Sequence, residues 1–215
     1  MAEPLYRSVI WLAKGLFAGL GLRIDVVGAD HVPLTGGAVL AINHTSYLDF
    51  ALAGIPADQR GRRLVRFMAK DGIFRHPVAG PLMRGMRHIP VDRSAGAAAY
   101  AQAVTAVRSG ELVGVFPEAT MSRSLRIQPI KSGAVRMALD SGAPLIPMIV
   151  YGGHRILSYD TRDLTRGRPI AITVGEPMDL PRALDEGSEL LRERMTDLLD
   201  RTVARYPDPD SSHAS

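Results

Sequence analysis

The sequence predicts a single α/β domain, in which a sheet carries helices on its faces. Strand-like apolar runs alternate with helical stretches along the chain, and this order is typical of α/β folds. At 215 residues and 46% hydrophobic content, the chain suits one domain with a sizeable core and is short for two. We expect an N-terminal helix over residues 1–22, the α/β domain over residues 23–206 and a disordered tail over residues 207–215.

The predicted strands are short apolar runs bounded by turn residues. In chain order they are LRIDVVGAD, AVLAIN, RLVRFMA, MRHIPVD, ELVGVFP, PLIPMIVYG and PIAITVGEP. The predicted helices are YLDFALAG, the alanine-rich SAGAAAYAQAVTAVRSG, SGAVRMALDSG and the amphipathic EGSELLRERMTDLLDRTVARY. In a sheet of this kind, functional sites are expected where strand ends meet helix starts.

The composition limits the chemistry. The absence of cysteine excludes disulfides, thiolate metal sites and a thiol nucleophile. Basic residues exceed acidic ones by four and the pI is about 9.7, which fits an anionic partner such as a phosphate-bearing substrate or an anionic membrane surface. Nucleic acid is not expected, because aromatic residues are only 6% and no nucleic-acid module is recognisable. No histidine pair or carboxylate cluster has metal-ligand spacing, so no metal is expected.

The N-terminal segment, MAEPLYRSVIWLAKGLFAGLGLR, has two interpretations. Its apolar run is interrupted by Lys14 and is too short to span a bilayer, and no cleavage site follows it. Arg7 and Lys14 lie two helical turns apart and share one stripe, while apolar residues cover most of the rest. This pattern fits a helix in a membrane interface, with Trp11 near the headgroups and the cations toward anionic lipid. The alternative is a helix packed on its own domain.

A buried strand runs directly into a histidine in AVLAINHTSYLDF, residues 38–50. His44 and Asp49 cannot share a helix face, because five residues rotate about 140° around a helix axis. His44 is therefore expected in the strand-to-helix turn, and with Ser46 as N-cap the Asp49 carboxylate falls in the first helical turn. Such an aspartate is able to orient a histidine base. The alternative is a capping box, in which Asp49 serves only the helix end.

Further polar residues follow other predicted strands. From Arg60 to Arg93 the chain has nine basic residues and two acidic ones, which suits either phosphate groups or a solvated basic face. HIPVDR places Arg93 at the end of a strand, and VGVFPEATMSRS ends the next strand in Glu118 and Thr120, with Arg123 shortly after. No G-x-S-x-G elbow and no cysteine is present, so a base in this chain would deprotonate a substrate hydroxyl directly.

These segments resemble the motifs of a known enzyme family. NHTSYLD resembles the H-x-x-x-x-D motif of the glycerolipid acyltransferases and is most similar to the 1-acylglycerol-3-phosphate (lysophosphatidate) acyltransferases. IPVDR resembles the second motif of that family, VFPEAT the third, which is normally Phe-Pro-Glu-Gly-Thr-Arg, and PLIPMIV the fourth, built around Pro147. MAKDGIF is similar to the family's lysine-bearing segment, which maps to Lys70. Four ordered motifs over residues 43–150 are more specific than any one of them.

The resemblance implies the glycerolipid acyltransferase fold, a single mixed sheet flanked by helices and preceded by an N-terminal amphipathic helix. It implies that His44 is the general base, that Asp49 orients it, and that an acyl thioester, either acyl-CoA or acyl carrier protein, is the donor without any cofactor. The implied acceptor is a lysolipid, and the implied location is peripheral, on the cytoplasmic face of the cell membrane. The substrate-binding residues that it implies are Lys70, Arg93, Glu118, Ala119 and Thr120.

Two positions depart from the third motif. Ala119 stands where the family has glycine, and Met121 stands where it has arginine. Without glycine the backbone approaches a ligand less closely, and without arginine a planar group suited to phosphate is lost. Arg123 is our candidate to replace that arginine, ahead of Arg126 and Lys131. If none of them does, another lysophospholipid or a glycolipid becomes the better acceptor. A non-catalytic lipid-binding protein is the remote alternative.

Overall fold

The protein is described by a computed structural model that covers residues 3–92 and 96–206. Within these residues, seven strands form one sheet in the order β1-β7-β6-β2-β5-β3-β4. The strands are β1 (Arg23–Val27), β2 (Ala38–Ile42), β3 (Val65–Lys70), β4 (Ile89–Val91), β5 (Leu112–Val115), β6 (Leu145–Tyr151) and β7 (Pro169–Val174). Neighbouring strands are parallel except for the antiparallel pair β6 and β7. The mixed sheet predicted from the sequence is confirmed.

The helices cover both faces of the sheet. They are α1 (Pro4–Gly19), α2 (Asp49–Ala53), α3 (Ile55–Gln59), α4 (Asp71–Arg75), α5 (Ala79–Gly85), α6 (Gly96–Arg108), α7 (Gly133–Ser141) and α8 (Leu184–Arg205). Apolar side chains of α6, α7 and α8 form one core with the strands, and those of α1, α2 and α3 form the other. The central strand β2 is fully buried along its length, because a parallel strand covered on both faces reads as a continuous apolar run.

The sequence predicted the strands better than the short helices. All seven predicted strands are present, whereas α3, α4 and α5 were not predicted. Each of these helices has only five to seven residues, which is too short to show an apolar period. The predicted tail over residues 207–215 lies outside the described residues.

Helix α1 is packed on the domain through one of its faces. The Tyr6 hydroxyl donates to the Val65 carbonyl at 2.7 Å, and Tyr6 and Phe17 are both buried. The opposite face is apolar and exposed, with Trp11 at 78% and Leu12 at 68% exposure. The helix therefore belongs to the domain and also presents an apolar outer surface, so that the two interpretations of this segment are compatible. Among the described residues, no helix has both the length and the apolar character needed to cross a membrane.

The predicted orientation of the α1 cations is wrong. Arg7 donates to the Arg62 carbonyl at 3.1 Å, and Lys14 forms an ion pair with Asp58. Both cations thus point along the side of α1 that meets the loop after α3 and α3 itself. The outer surface of α1 carries the leucines and the tryptophan, without this cationic stripe.

Much of the basic segment before β4 serves the fold. Arg66 is buried and donates to the Glu3 carboxylate at 2.6 Å and to the Met86 carbonyl at 2.8 Å. Arg87 donates to the same Glu3 carboxylate at 2.7 Å, and the bonds from these arginines oppose the effect of burial and lower the pKa of Glu3. The Arg63 guanidinium donates to backbone carbonyls. These arginines are bound by partners within the fold, so the high density of basic residues in this segment is not by itself evidence of a phosphate site.

Candidate active site

The site lies at one edge of the sheet, where the parallel strands end. His44 follows β2, and residues 117–120 follow β5. Lys70 is the last residue of β3 and pairs in register with Val91 of β4. Because β2, β5, β3 and β4 are mutually parallel, their carboxyl ends meet at the same edge. The segments that follow β2, β5 and β3 therefore lie along one edge of the sheet.

His44 and Asp49 form a hydrogen-bonded pair. Their separation is 3.1 Å between His44 Nδ1 and Asp49 Oδ2. The carboxylate is fully buried, whereas the His44 side chain is 26% exposed. An imidazole that donates from Nδ1 to a carboxylate keeps Nε2 as the acceptor nitrogen. The pair therefore has the arrangement of a histidine base with an orienting aspartate.

The Asp49 carboxylate also organises the preceding turn. Its Oδ2 accepts the backbone N–H groups of Thr45 and Ser46, each at 2.7 Å. Complete burial raises the pKa of Asp49, and the hydrogen bonds from His44, Ser46 and Thr45 oppose this shift. The Ser46 hydroxyl accepts the Leu48 N–H at 3.0 Å. Helix α2 begins at Asp49 with Leu48 as its N-cap, so the prediction of Ser46 as N-cap is wrong. The Asp49 carboxylate nevertheless does both things that the sequence offered as alternatives. It binds backbone N–H groups before the helix, and it binds the histidine.

His44 and Asp49 are also contacted by groups that the sequence did not indicate. Phe116 stacks on the His44 ring with centroids 4.3 Å apart and planes 28° apart. The Ser122 N–H donates to the His44 carbonyl at 2.7 Å. On the far side of the turn, Gly153 lies so close that a Cβ at this position would be 3.3 Å from Asp49 Oδ1. Phe116 appeared in the sequence only as the last apolar residue of a strand, and nothing local marked the other two.

Glu118 holds the loop after β5 against the histidine. Its Oε1 accepts the His44 N–H at 3.0 Å, and its Oε2 accepts the Gln128 N–H at 2.9 Å. Burial raises the pKa of Glu118, and these two backbone donors oppose the shift. Both oxygens are thus engaged by the backbone, so this carboxylate fixes the positions of two loops. A direct contact between Glu118 and the acceptor stays a prediction.

Ala119 and Thr120 form the exposed tip of the turn after Glu118. Ala119 has φ of +61°, a left-handed conformation that glycine adopts without a steric cost. Its N–H donates to the Phe116 carbonyl at 3.0 Å, which closes the turn. This conformation explains the glycine in the third motif of the family. Ala119 adopts the same conformation, but with backbone strain.

Met121 and Arg123 point in different directions. Met121 is only 6% exposed, so an arginine introduced there would have to bury its charge or displace neighbouring side chains. Arg123 is 72% exposed, and its guanidinium lies 5.3 Å from the centre of the Tyr159 ring and 3.9 Å from Asp160. It directly follows Ser122, which bonds to the histidine. Arg123 is therefore a cation beside the site, held loosely by exposed partners.

Lys70 and Arg93 are the two remaining predicted binding residues. Lys70 is exposed at the end of β3, on the same sheet edge as His44. Arg93 lies outside the described residues, one position beyond Asp92. Within the part of the chain that the structure describes, no group of three or more histidine, aspartate or glutamate side chains is placed to hold a metal ion.

Comparison with known proteins identifies the family. The family model described as Acyltransferase matches residues 23–151. The chain belongs to this acyltransferase family. The part matched contains every strand except β7, and the loop with Tyr159 and Asp160 lies beyond it.

The individual relatives carry consistent names. The chain is 34% identical over 172 residues to a 1-acyl-sn-glycerol-3-phosphate acyltransferase of Limnanthes douglasii, covering 77% of this chain and 55% of the relative. It is 27% identical to one of Bacillus subtilis, covering 77% and 80%. The chain thus spans only about half the length of the Limnanthes protein. A crystal structure of the 1-acyl-sn-glycerophosphate acyltransferase PlsC from Thermotoga maritima shares the fold, with a TM-score of 0.76 and 20% identity, over 94% of this chain and 81% of that one.

The strain at Ala119 yields a prediction of stability. Ala119→Gly is expected to raise the free energy of unfolding by about 1 kcal/mol, because the left-handed conformation costs a residue with a Cβ about 1–2 kcal/mol and the added freedom of the unfolded chain offsets part of the gain. The measurement is urea unfolding. The control is Ala101→Gly, at an exposed position inside α6, which should lose about 1 kcal/mol. Equal losses in both variants would contradict the strain.

Proposed function

We propose that this protein is an O-acyltransferase that moves a fatty acyl group from an acyl thioester, acyl-CoA or acyl carrier protein, to the hydroxyl of a lysophosphatidate-like acceptor in phospholipid synthesis. The hydrogen bond between His44 Nδ1 and the buried Asp49 carboxylate is the observation that carries the proposal. The names of the relatives support the acceptor class.

In the proposed reaction, His44 Nε2 removes the proton of the acceptor hydroxyl. The acceptor oxygen then attacks the thioester carbonyl and forms a tetrahedral intermediate. When this intermediate collapses, the C–S bond breaks and the imidazolium returns its proton to the leaving thiolate. Asp49 holds the Nδ1–H tautomer and stabilises the imidazolium by its negative charge. No covalent acyl-enzyme is required, which agrees with the absence of cysteine from the chain.

Glu118 and Phe116 hold His44 in position. The carboxylate of Glu118 fixes the His44 backbone, and the Phe116 ring restricts rotation of the imidazole. Fixed orientation of a base is a large part of its effect, since a misplaced group loses the near-attack geometry. We assign both residues a positioning role.

The acceptor headgroup is the less constrained part of the proposal. Arg93 and Arg123 are the proposed phosphate contacts, and the exposed Lys70 at the same sheet edge is a third cation. Met121 stands where the family motif has arginine, and this missing charge favours as a second candidate an acceptor without a phosphomonoester, such as another lysophospholipid or a glycolipid.

The membrane is the proposed source of the acceptor. The outer face of α1 exposes Leu5, Trp11, Leu12 and Leu16, and an apolar helix face with a tryptophan is typical of a membrane-interface helix. We propose a peripheral protein on the cytoplasmic face of the cell membrane. Deletion of α1 is a poor test, because it would also remove Tyr6 and Phe17 from the core.

The dyad is tested by substitution. His44→Ala is expected to lower kcat by about 10²- to 10⁴-fold in a folded protein, because a positioned base contributes that much. Asp49→Asn is expected to lower kcat by the same factor or a smaller one, because it disturbs the tautomer of His44 but leaves the imidazole in place. Turnover is measured on lysophosphatidate with unfolding curves in parallel, and His31→Ala, at a structural histidine, is the control. Wild-type turnover by a folded His44→Ala protein would exclude the general base.

The headgroup contacts are tested by kcat/KM on several acceptors. A charge-assisted contact with phosphate is worth roughly 1.5–3 kcal/mol, so Arg93→Ala and Arg123→Ala should each raise the acceptor KM by about 10- to 150-fold. The acyl donor KM should change little. Lysophosphatidate is compared with a lysophosphodiester and a glycolipid at fixed salt, and Arg194→Gln on α8 is the control. An effect on the donor KM alone would assign the arginine to the donor site.

The membrane face of α1 is tested by one charge. Trp11→Glu is expected to weaken binding to anionic vesicles by about 10-fold or more, because it replaces an exposed apolar ring by a repelled carboxylate. Activity on bilayer-embedded acceptor should fall more than activity on detergent-dispersed acceptor. Vesicle sedimentation gives the affinity. Equal losses in the two formats would contradict an interfacial role for α1.

A further inference from the structure

A second apolar surface lies on the segment that contains α4 and α5. Val78, at the start of α5, is 76% exposed, and Ile73 and Leu82 are 42% and 36% exposed. Pro77 and Pro81 are exposed beside them. Scattered exposed apolar residues are ordinary, but a contiguous group of them marks an interaction surface. The residues Asp71–Gly85 are called the α4–α5 segment below.

This surface adjoins the outer face of α1. A Cβ at Gly85 would lie 2.3 Å from Leu5 Cδ2, so the end of α5 is in direct contact with the first turns of α1. Leu82 lies three residues before Gly85, on the same side of α5, and Leu12 lies two turns after Leu5 on α1. The exposed leucines of the two helices therefore form neighbouring parts of one surface.

The charges around the α4–α5 segment are complementary to anionic lipid. From Lys70 to Arg87 the chain carries four basic side chains, Lys70, Arg75, Arg84 and Arg87, and one acidic side chain, Asp71. Arg75 pairs with Asp71, and Arg87 pairs with Glu3 and Glu111, so the net positive charge comes from Lys70 and Arg84, which are both exposed. Basic side chains that border an apolar surface are attracted to the negative potential of a membrane, each by about 1 kcal/mol. These charges would not strengthen binding to a neutral bilayer or to a purely apolar protein surface.

The segment is also next to the reaction site. Helix α4 begins at Asp71, immediately after the last residue of β3, and β3 is parallel to β5, which is parallel to β2. The α4–α5 segment therefore starts at the sheet edge that carries His44. From there the segment crosses toward the amino end of β4, where the end of α5 meets the start of α1. A membrane bound along the whole segment would therefore reach the edge that carries His44.

We propose that the α4–α5 segment is a second membrane-contacting element, which together with α1 docks this side of the domain on an anionic bilayer. The proposal rests on the proposed function in that the acceptor is a membrane lipid. It predicts that residues far from the N-terminus in sequence control membrane affinity. It also gives the exposed Val78 a role that packing within the domain does not explain.

The test is Val78→Glu in the full chain, with sedimentation on vesicles of phosphatidylcholine alone and with phosphatidylglycerol. We expect binding to the anionic vesicles to weaken by about 10-fold or more, while Val78→Leu binds as the wild type does. Arg194→Gln changes the net charge by the same amount on α8, which covers the opposite face of the sheet, and should stay within about 2-fold. Thermal unfolding confirms that each variant is folded.

Activity and oligomeric state separate the remaining outcomes. Val78→Glu should keep wild-type turnover on a detergent-dispersed acceptor, because the substitution leaves His44 and its partners unchanged. Unchanged vesicle binding by a folded Val78→Glu protein would overturn the proposal. So would a wild-type dimer that Val78→Glu converts to a monomer without loss of vesicle binding, since a second copy would then cover this face. Vesicle binding by a wild-type protein without acyltransferase activity would contradict the proposed function and leave the membrane surface standing.

Discussion

The Asp49 carboxylate is the group on which the geometry of the site depends. It is fully buried, and one oxygen accepts three N–H donors, two from the backbone of the turn and one from His44. A buried carboxylate is tolerated only when such bonds replace its hydration. Because the same oxygen fixes both the backbone and the ring, the imidazole is oriented by the group that organises the turn. The other oxygen, Oδ1, accepts no hydrogen bond from the described residues.

The turn around Asp49 is held by two separate loops, one after β5 and one after β6. Glu118, after β5, binds the His44 N–H, and Ser122 binds the His44 carbonyl. From the loop after β6, the Leu157 carbonyl accepts both the Ser46 hydroxyl and the Tyr47 N–H. Both loops leave the same edge of the sheet, so the register of the parallel strands determines how precisely the base is held. This is the physical reason why residues far apart in sequence act as one site.

The parts of the structure that the sequence predicted are those governed by local pattern. The strands and the pairing of His44 with Asp49 follow from apolar runs and from the rotation of five residues around a helix. The direction of the α1 cations, the burial of Met121 and the role of Glu118 depend on which segment packs opposite. Arg66 illustrates the limit, because its charge suggested phosphate whereas its partners are Glu3 and a backbone carbonyl. Tertiary partners cannot be inferred from one residue and its neighbours in sequence.

The two departures from the third family motif have different physical consequences. Ala119 keeps the left-handed backbone that glycine would adopt, so the shape of the turn is retained at a cost of about 1 kcal/mol. Met121 is uncharged, so the positive charge that the family motif has at this position is absent from this chain. The loop therefore preserves its geometry and changes its electrostatics. In the proposed function, headgroup discrimination then depends on the cations that remain. The exposed Arg123, two residues further along the same loop and beside Tyr159 and Asp160, is the one that we propose.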